Sequence, residues 1–179
     1  LMIETIARYD GYINKFVGDA IMVVWNAPLD QEDHALRALA CGRAMQDELE
    51  RANQEGLFGD AGKITMGIGV NTGPLVAGNL GNERQVEFTV LGDTVNVASR
   101  ACSHAAASEV VMTEDVLTSA RRSSSEQGDE ETPRVQSHGE VDVKGKGKLE
   151  FFELRSDASE LERLLKTSLW SSRPSELPD

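Results

Sequence analysis

The stretch Gly11-Tyr12-Ile13-Asn14-Lys15-Phe16-Val17-Gly18-Asp19-Ala20-Ile21-Met22-Val23-Val24-Trp25 sets two β-forming arms around a Gly-Asp pair. The arms, 12–17 and 20–25, are rich in β-branched and aromatic residues that fit a pleated surface, and Gly18-Asp19 is a hairpin-turn dipeptide. The stretch therefore predicts a β-hairpin with Asp19 at its tip and Lys15 four residues before it. A carboxylate on so rigid a support suits a hard divalent cation such as Mg²⁺, which takes only one or two protein carboxylates. A Gly-Asp pair also makes a turn with no further role, and these fifteen residues alone leave both readings open.

The surrounding chain bounds the answer. Its 179 residues, 40% of them hydrophobic, suffice for one domain of ordinary core size with appendages. A net charge of −12 and a pI near 4.7 argue against wrapping nucleic acid, which needs clustered Lys and Arg, but leave room for a small phosphorylated substrate. Cys41 and Cys102 match no zinc spacing and are expected to be reduced, small core residues of a cytoplasmic domain. The longest apolar run, residues 20–25, is far too short to cross a bilayer. Residues 1–9 already show helical spacing, with Met2, Ile6 and Tyr9 on one stripe and no cap, so further structure is expected before Leu1.

Beyond the hairpin, Asp30 can cap a helix over about 31–53, with Leu36, Leu39, Cys41 or Gly42, Met45 and Leu49 on its apolar face and Arg37 largely elsewhere. His34, in its first turn, reads as a surface or packing residue rather than a metal ligand. Residues 63–71 alternate apolar and small side chains, a strand whose glycines permit close backbone approach, and Thr72-Gly73-Pro74 turns into a second strand over 75–79. Residues 85–91 form another strand that runs into a helix capped by Asp93 or Thr94. On that helix Asn96 and Arg100 stand four apart and share a face, an arrangement that suits a polyanion gaining charge in a transition state but equally a surface hydrogen-bonding pair. Residues 109–113 read as a strand, 114–120 as a short helix, and 121–136, almost without apolar residues, as a mobile loop. Two strands then flank the turn that carries Lys144, Lys146 and Lys148, where solvated lysines or a phosphate contact are the two readings. An amphipathic stretch with Leu161, Leu164, Leu165 and Leu169 closes the chain before a Pro-containing tail.

These blocks in this order resemble the class III nucleotidyl cyclase catalytic domain, the fold of adenylate and guanylate cyclases. The resemblance runs through 11–22, Ala27-Pro28 with Asp33-His34-Ala35, 67–73, 76–81, 88–100 and 143–147. It implies an α+β fold, ferredoxin-like and of βαββαβ type, with a mainly antiparallel central sheet flanked by helices and its opening strand missing. The implied catalytic domain spans 1–154, with a helical extension and tail over 155–179. Asp19 matches the second of two metal-binding aspartates that hold two Mg²⁺ or Mn²⁺ ions against a triphosphate. Lys15 matches the purine-reading position where lysine accompanies adenine, because adenine N1 accepts a hydrogen bond that guanine N1–H cannot. Thr89 matches the second purine-reading position, Asn96 and Arg100 match the pair that orients the ribose and stabilises the transition state, and Lys144 matches a phosphate-contacting lysine.

The implied reaction converts ATP to 3′,5′-cyclic AMP and pyrophosphate by attack of the ribose 3′-hydroxyl on the α-phosphorus. The implied partner is a second cyclase domain, head to tail, so that a homodimer forms two sites with Asp19 of one chain facing Lys15, Thr89, Asn96, Arg100 and Lys144 of the other. No residue of this chain can be assigned to the family's first metal aspartate, and the chain on its own is expected to have little or no cyclase activity. Two alternatives accompany this reading: a guanylate cyclase, which Lys15 opposes, and a non-catalytic cyclase-like dimerisation or signalling module, which the retained site residues oppose. The Gly-Gly-Asp/Glu-Glu-Phe signature of a diguanylate cyclase is absent.

Overall fold

The structure, a computed structural model, describes residues 1–82, 85–126, 131–143 and 145–166. Helix α1 (Met2–Arg8) leads into the hairpin β1 (Tyr12–Val17) and β2 (Ala20–Val24), followed by the long helix α2 (His34–Gln54). Strands β3 (Ile68–Val70), β4 (Val76–Asn82) and β5 (Gln85–Leu91) precede helix α3 (Asp93–His104). Strand β6 (Val110–Thr113), helix α4 (Glu114–Glu126), strands β7 (Val135–Val143) and β8 (Gly147–Leu154) and helix α5 (Ala158–Lys166) complete the order.

The expected α+β class holds, and so does the mainly antiparallel pairing of the largest sheet. That sheet is four-stranded, in the order β3-β6-β8-β7, with β3 parallel to β6 and the other pairs antiparallel. The hairpins β1-β2 and β4-β5 form separate antiparallel pairs. Apolar residues at helical spacing drive the main core: Leu36, Leu39, Cys41 and Met45 of α2 meet Ile6, Val110, Met112, Val116 and Leu117. Helix α5 closes this core with Leu161, Leu164 and Leu165. Leu169, expected on the same face, lies outside the described residues. A smaller cluster of Val97, Ala101, Val111, Val143 and Phe151 seats α3 on the other face of the sheet.

Five local expectations are corrected. The second helix starts at His34 rather than near residue 31, and Asp30 does not cap it: Asp33 holds the N-cap position and its carboxylate pairs with Arg37. Arg37 itself is buried, because Asp33 and Asp10 both neutralise its guanidinium. The strand expected over 63–71 contracts to Ile68–Val70, since side chains of α2 take over the backbone groups before it. Asn53 bonds both the N–H and the carbonyl of Ile64 (2.9 and 2.7 Å), and Gln46 donates to the Met66 carbonyl (2.8 Å). The loop expected over 121–136 is shorter: α4 runs on to Glu126, helped by the buried Ser123 hydroxyl that donates to the Glu32 carbonyl (3.1 Å), and β7 opens at Val135. Cys41 is core as expected, but Cys102 is exposed on α3.

The glycine expectation is met most directly at Gly69. A Cβ there would run into the backbone N and Cα of Cys102 and the carbonyl of Ala98, so α3 lies directly on the backbone of β3. The height of α3 above the sheet is therefore fixed by a missing side chain.

Candidate functional site

The hairpin forms as its sequence predicts, with Gly18 at φ 62° in the turn and Asp19 exposed beside it. Lys15 is half-buried on β1, opposite Met22 of β2. The hairpin is anchored at its base: the Trp25 indole N–H donates to the Tyr9 carbonyl (2.9 Å), and the Tyr9 hydroxyl donates to Glu162 of α5 (2.9 Å). Burial first, and then that carboxylate, push the Tyr9 phenol well above its ordinary range.

A second set of contacts joins β1 to β5. The Asn14 side-chain amide donates to the Phe88 carbonyl (3.0 Å), and the rings of Tyr12 and Phe88 meet edge to face at 5.3 Å. Thr89, the next residue on β5, is buried, and its hydroxyl has no hydrogen-bond partner. Lys15 and Thr89, far apart in sequence, are thus neighbours of two residues that touch.

Asn96 and Arg100 lie one turn apart on α3, both exposed. The start of α3 is positioned from two sides. Asn71, just past β3, donates to the Thr94 carbonyl (2.9 Å) while accepting from the Thr113 hydroxyl (2.7 Å), and the Thr94 hydroxyl donates to the Pro74 carbonyl (2.7 Å). From the turn between β7 and β8, Lys146 forms an ion pair with Asp93 at 3.0 Å, and Val143 packs beside Val97 and Ala101. Lys144 lies outside the described residues. His34 bonds the Gln31 carbonyl (3.0 Å) and the Thr72 hydroxyl (3.1 Å), as a packing residue would.

Among the described residues, the side chains of Lys15, Asp19, Asn96 and Arg100 have no hydrogen-bond or ion-pair partner. They are held on rigid elements yet chemically uncommitted, which suits groups that wait for a ligand. No cluster of three or more His, Cys, Asp or Glu able to hold a metal occurs among the described residues. Asp19 fits a divalent ion as a single exposed carboxylate, the donor set with which Mg²⁺ binds when waters and substrate phosphates supply the rest. Asn14 and the side chain of Asn71 escaped the sequence reading as contributors to this region. The adjacent polar residues Asn14 and Lys15 in an otherwise apolar arm are the signal that could have revealed the first.

Residues 2–156 match the family model described as the adenylate and guanylate cyclase catalytic domain. The chain belongs to this family. Among curated relatives, Adenylate cyclase 1 of Rhizobium meliloti (strain 1021) is 37% identical over 100 residues, 56% of this chain and 15% of that protein. An uncharacterised protein of Mycobacterium tuberculosis (strain H37Rv) is 39% identical over 104 residues, 57% of this chain and 18% of that protein. The chain thus spans under a fifth of the length of these relatives. Of solved structures, the guanylyl cyclase Cya2 superposes with a TM-score of 0.74 at 32% identity, covering 87% of this chain and 75% of that one. The adenylyl cyclase CyaB from P. aeruginosa gives 0.76 at 26% identity, covering 87% and 77%. The cyclase α+β fold is therefore shared with proteins of both nucleotide specificities. Among the described residues no helix is long and apolar enough to cross a membrane.

Proposed function

We propose that this cyclase domain is the catalytic domain of an adenylate cyclase, converting ATP to 3′,5′-cyclic AMP and pyrophosphate. What supports the choice of ATP is the residue types at the two purine-reading positions, an ammonium at Lys15 and a hydroxyl at Thr89. The Lys15 ammonium donates to adenine N1, an acceptor, whereas guanine presents an N–H there and calls for a carboxylate. The Thr89 hydroxyl accepts from the adenine amino group.

In the reaction, the ribose 3′-oxygen bonds to the α-phosphorus, the bond from that phosphorus to the bridging oxygen breaks, and the hydroxyl proton leaves to solvent. Asn96 orients the ribose, and Arg100 stabilises the charge that grows on the α-phosphoryl oxygens. Lys144 contacts the phosphates. Asp19 would hold a Mg²⁺ or Mn²⁺ ion, which would ease deprotonation of the 3′-hydroxyl and offset charge on the departing pyrophosphate. The site is completed by a second copy of the domain, head to tail. Exposed apolar side chains on both hairpins support such an interface: Phe16 and Val17 on β1, Val76, Leu80 and Leu91 on β4 and β5.

A guanylate cyclase is the second reading, favoured by the 32% identity with the guanylyl cyclase Cya2. Turnover of ATP and GTP, measured side by side with Mn²⁺ on the cyclase-active form of the protein with any flanking residues, separates the two. Preferential formation of cyclic AMP supports the proposal; preferential formation of cyclic GMP overturns it.

A further inference from the structure

Helix α5 (Ala158–Lys166) follows the stretch that matches the cyclase family model, which ends at residue 156. Its sequence supplies its own start. Asp157 and Glu160 form a capping box, in which the Glu160 backbone N–H donates to the Asp157 carboxylate (2.9 Å) and the Asp157 N–H donates to the Glu160 carboxylate (3.1 Å). Arg134, just before β7, pairs with the same Glu160 at 2.7 Å. From this fixed start Leu161, Leu164 and Leu165 sink into the main core.

One polar contact of α5 reaches toward the site. Glu162, on the exposed flank of the helix, accepts the Tyr9 hydroxyl at 2.9 Å. Tyr9 is buried between α1 and β1, and its carbonyl accepts the Trp25 indole N–H at 2.9 Å. Trp25 directly follows β2, and Gly11 directly precedes β1. A Cβ on Gly11 would meet the Trp25 ring, Val23 and Ile6 at 2.8 Å, so the two ends of the hairpin close on each other with no room for a side chain. Tyr9 therefore touches α5 with its side chain and the far end of the hairpin with its backbone.

We propose that α5 is a positioning element for the hairpin, with Glu162 and Tyr9 as positioning residues that set, through Trp25, the stance of Lys15 and Asp19. Neither residue touches the nucleotide or the metal; they act on the residues that do. The first half of β1 leans on β5 through Tyr12 and Asn14, but residues 16–19 are exposed, so the direction of the tip is set from its base. A small shift at Tyr9 becomes a larger one at Asp19. This inference rests on the reading of Asp19 as a metal-binding residue.

The chain has two tryptophans, Trp25 and Trp170, and the second lies outside the described residues. In the cyclase-active form of the protein, Trp170→Phe leaves Trp25 as the sole reporter at the base of the hairpin. In that background Glu162→Ala, which opens no cavity in the core, is expected to move the Trp25 emission to longer wavelength with no nucleotide or metal present. It is also expected to raise the Mn²⁺ concentration for half-maximal turnover of ATP on the order of threefold to tenfold, with kcat at saturating metal nearly unchanged. Glu162→Gln keeps an oxygen that accepts the Tyr9 hydroxyl and is expected to stay within about twofold of its parent. The proposal is overturned if either reading of Glu162→Ala stays at the parent's value, or if Glu162→Gln is as impaired as Glu162→Ala. Should Glu162→Ala fail to fold, Tyr9→Phe keeps the ring, removes only the hydroxyl and gives the same two readings. Asp19→Ala separates this inference from the reading beneath it. If Asp19→Ala raises the Mn²⁺ requirement and Glu162→Ala does not, the role of α5 fails; if Asp19→Ala does not raise it, the metal reading of the hairpin fails as well.

Discussion

The two sides of this domain treat polar groups in opposite ways. Around α2 the buried charge is matched: Arg37 is held between Asp33 and Asp10, and the carbonyls of Met66 and Ile64 are taken up by Gln46 and Asn53. Around the hairpins and α3, Lys15, Asp19, Asn96 and Arg100 are uncommitted among the described residues, and Asn14 Oδ1 and Thr89 Oγ1 are buried without partners. Apolar exposure does not divide so cleanly, since Leu29 and Leu57 in the loops before and after α2 are exposed as well. Leu36 and Leu39 are fully buried, whereas Val76 is 72% and Phe16 59% exposed. One side satisfies its buried polar groups within the chain, and the other leaves side chains uncommitted, as the proposed ligand and second domain require.

The largest expected effect on this contrast comes from Arg100→Ala, which should lower kcat by about a hundredfold to a thousandfold by removing charge stabilisation in the transition state, with the thermal melting profile unchanged. A matching drop in melting temperature would make Arg100 structural and blur the contrast. On the α2 side, Leu39→Ala should cost about 2–5 kcal/mol in urea unfolding, while Phe16→Ala should stay within about 0.5 kcal/mol and weaken only self-association, read by sedimentation. Gly69→Ala joins the two sides: the added methyl meets Cys102 and Ala98, so a loss of about 1–3 kcal/mol should accompany reduced turnover as α3 shifts.

The cysteines give a smaller and more local check. Cys41 is buried, and that burial pushes its thiol up to about 12, whereas Cys102 is exposed on α3. Native protein at neutral pH should therefore take up one equivalent of an alkylating reagent, at Cys102, and a second only after unfolding. The smallest effect lies in the pH dependence. A Tyr9 pKa raised above its unfolded value contributes stability that is fully present below about pH 10 and declines as pH rises further. Tyr9→Phe should flatten the alkaline fall in melting temperature, and an unchanged slope would assign that fall to other groups.

Much of this architecture was legible because local and tertiary demands agree. The arms of the hairpin are rich in β-branched and aromatic residues around Gly18-Asp19, α2 carries its apolar residues at helical spacing, and both elements form where the pattern puts them. Residues 63–67 misled because their pattern suits a strand, while Asn53 and Gln46 from a distant helix take up their backbone groups instead. Arg37 misled for a similar reason: a charge on a helix is expected in water unless partners neutralise it, and here the N-cap Asp33 is joined by Asp10 from outside the helix. Polar composition hid the second half of α4, where Ser123 faces inward because its hydroxyl finds the Glu32 carbonyl. At the site, the types and spacing of Lys15, Asp19, Asn96 and Arg100 were visible in the chain. The strut from Asn14 to Phe88 was not, since it depends on a one-residue bulge and on two sheets meeting without a ladder.

If Lys15 and Thr89 read adenine, nucleotide preference shows it most directly. With Mn²⁺ and equal concentrations of each nucleotide, the cyclase-active protein should show a kcat/KM for ATP at least about a hundredfold above that for GTP, because a site built to bond one base leaves its polar groups unpaired with the other. Equal values, or a preference for GTP, would contradict it.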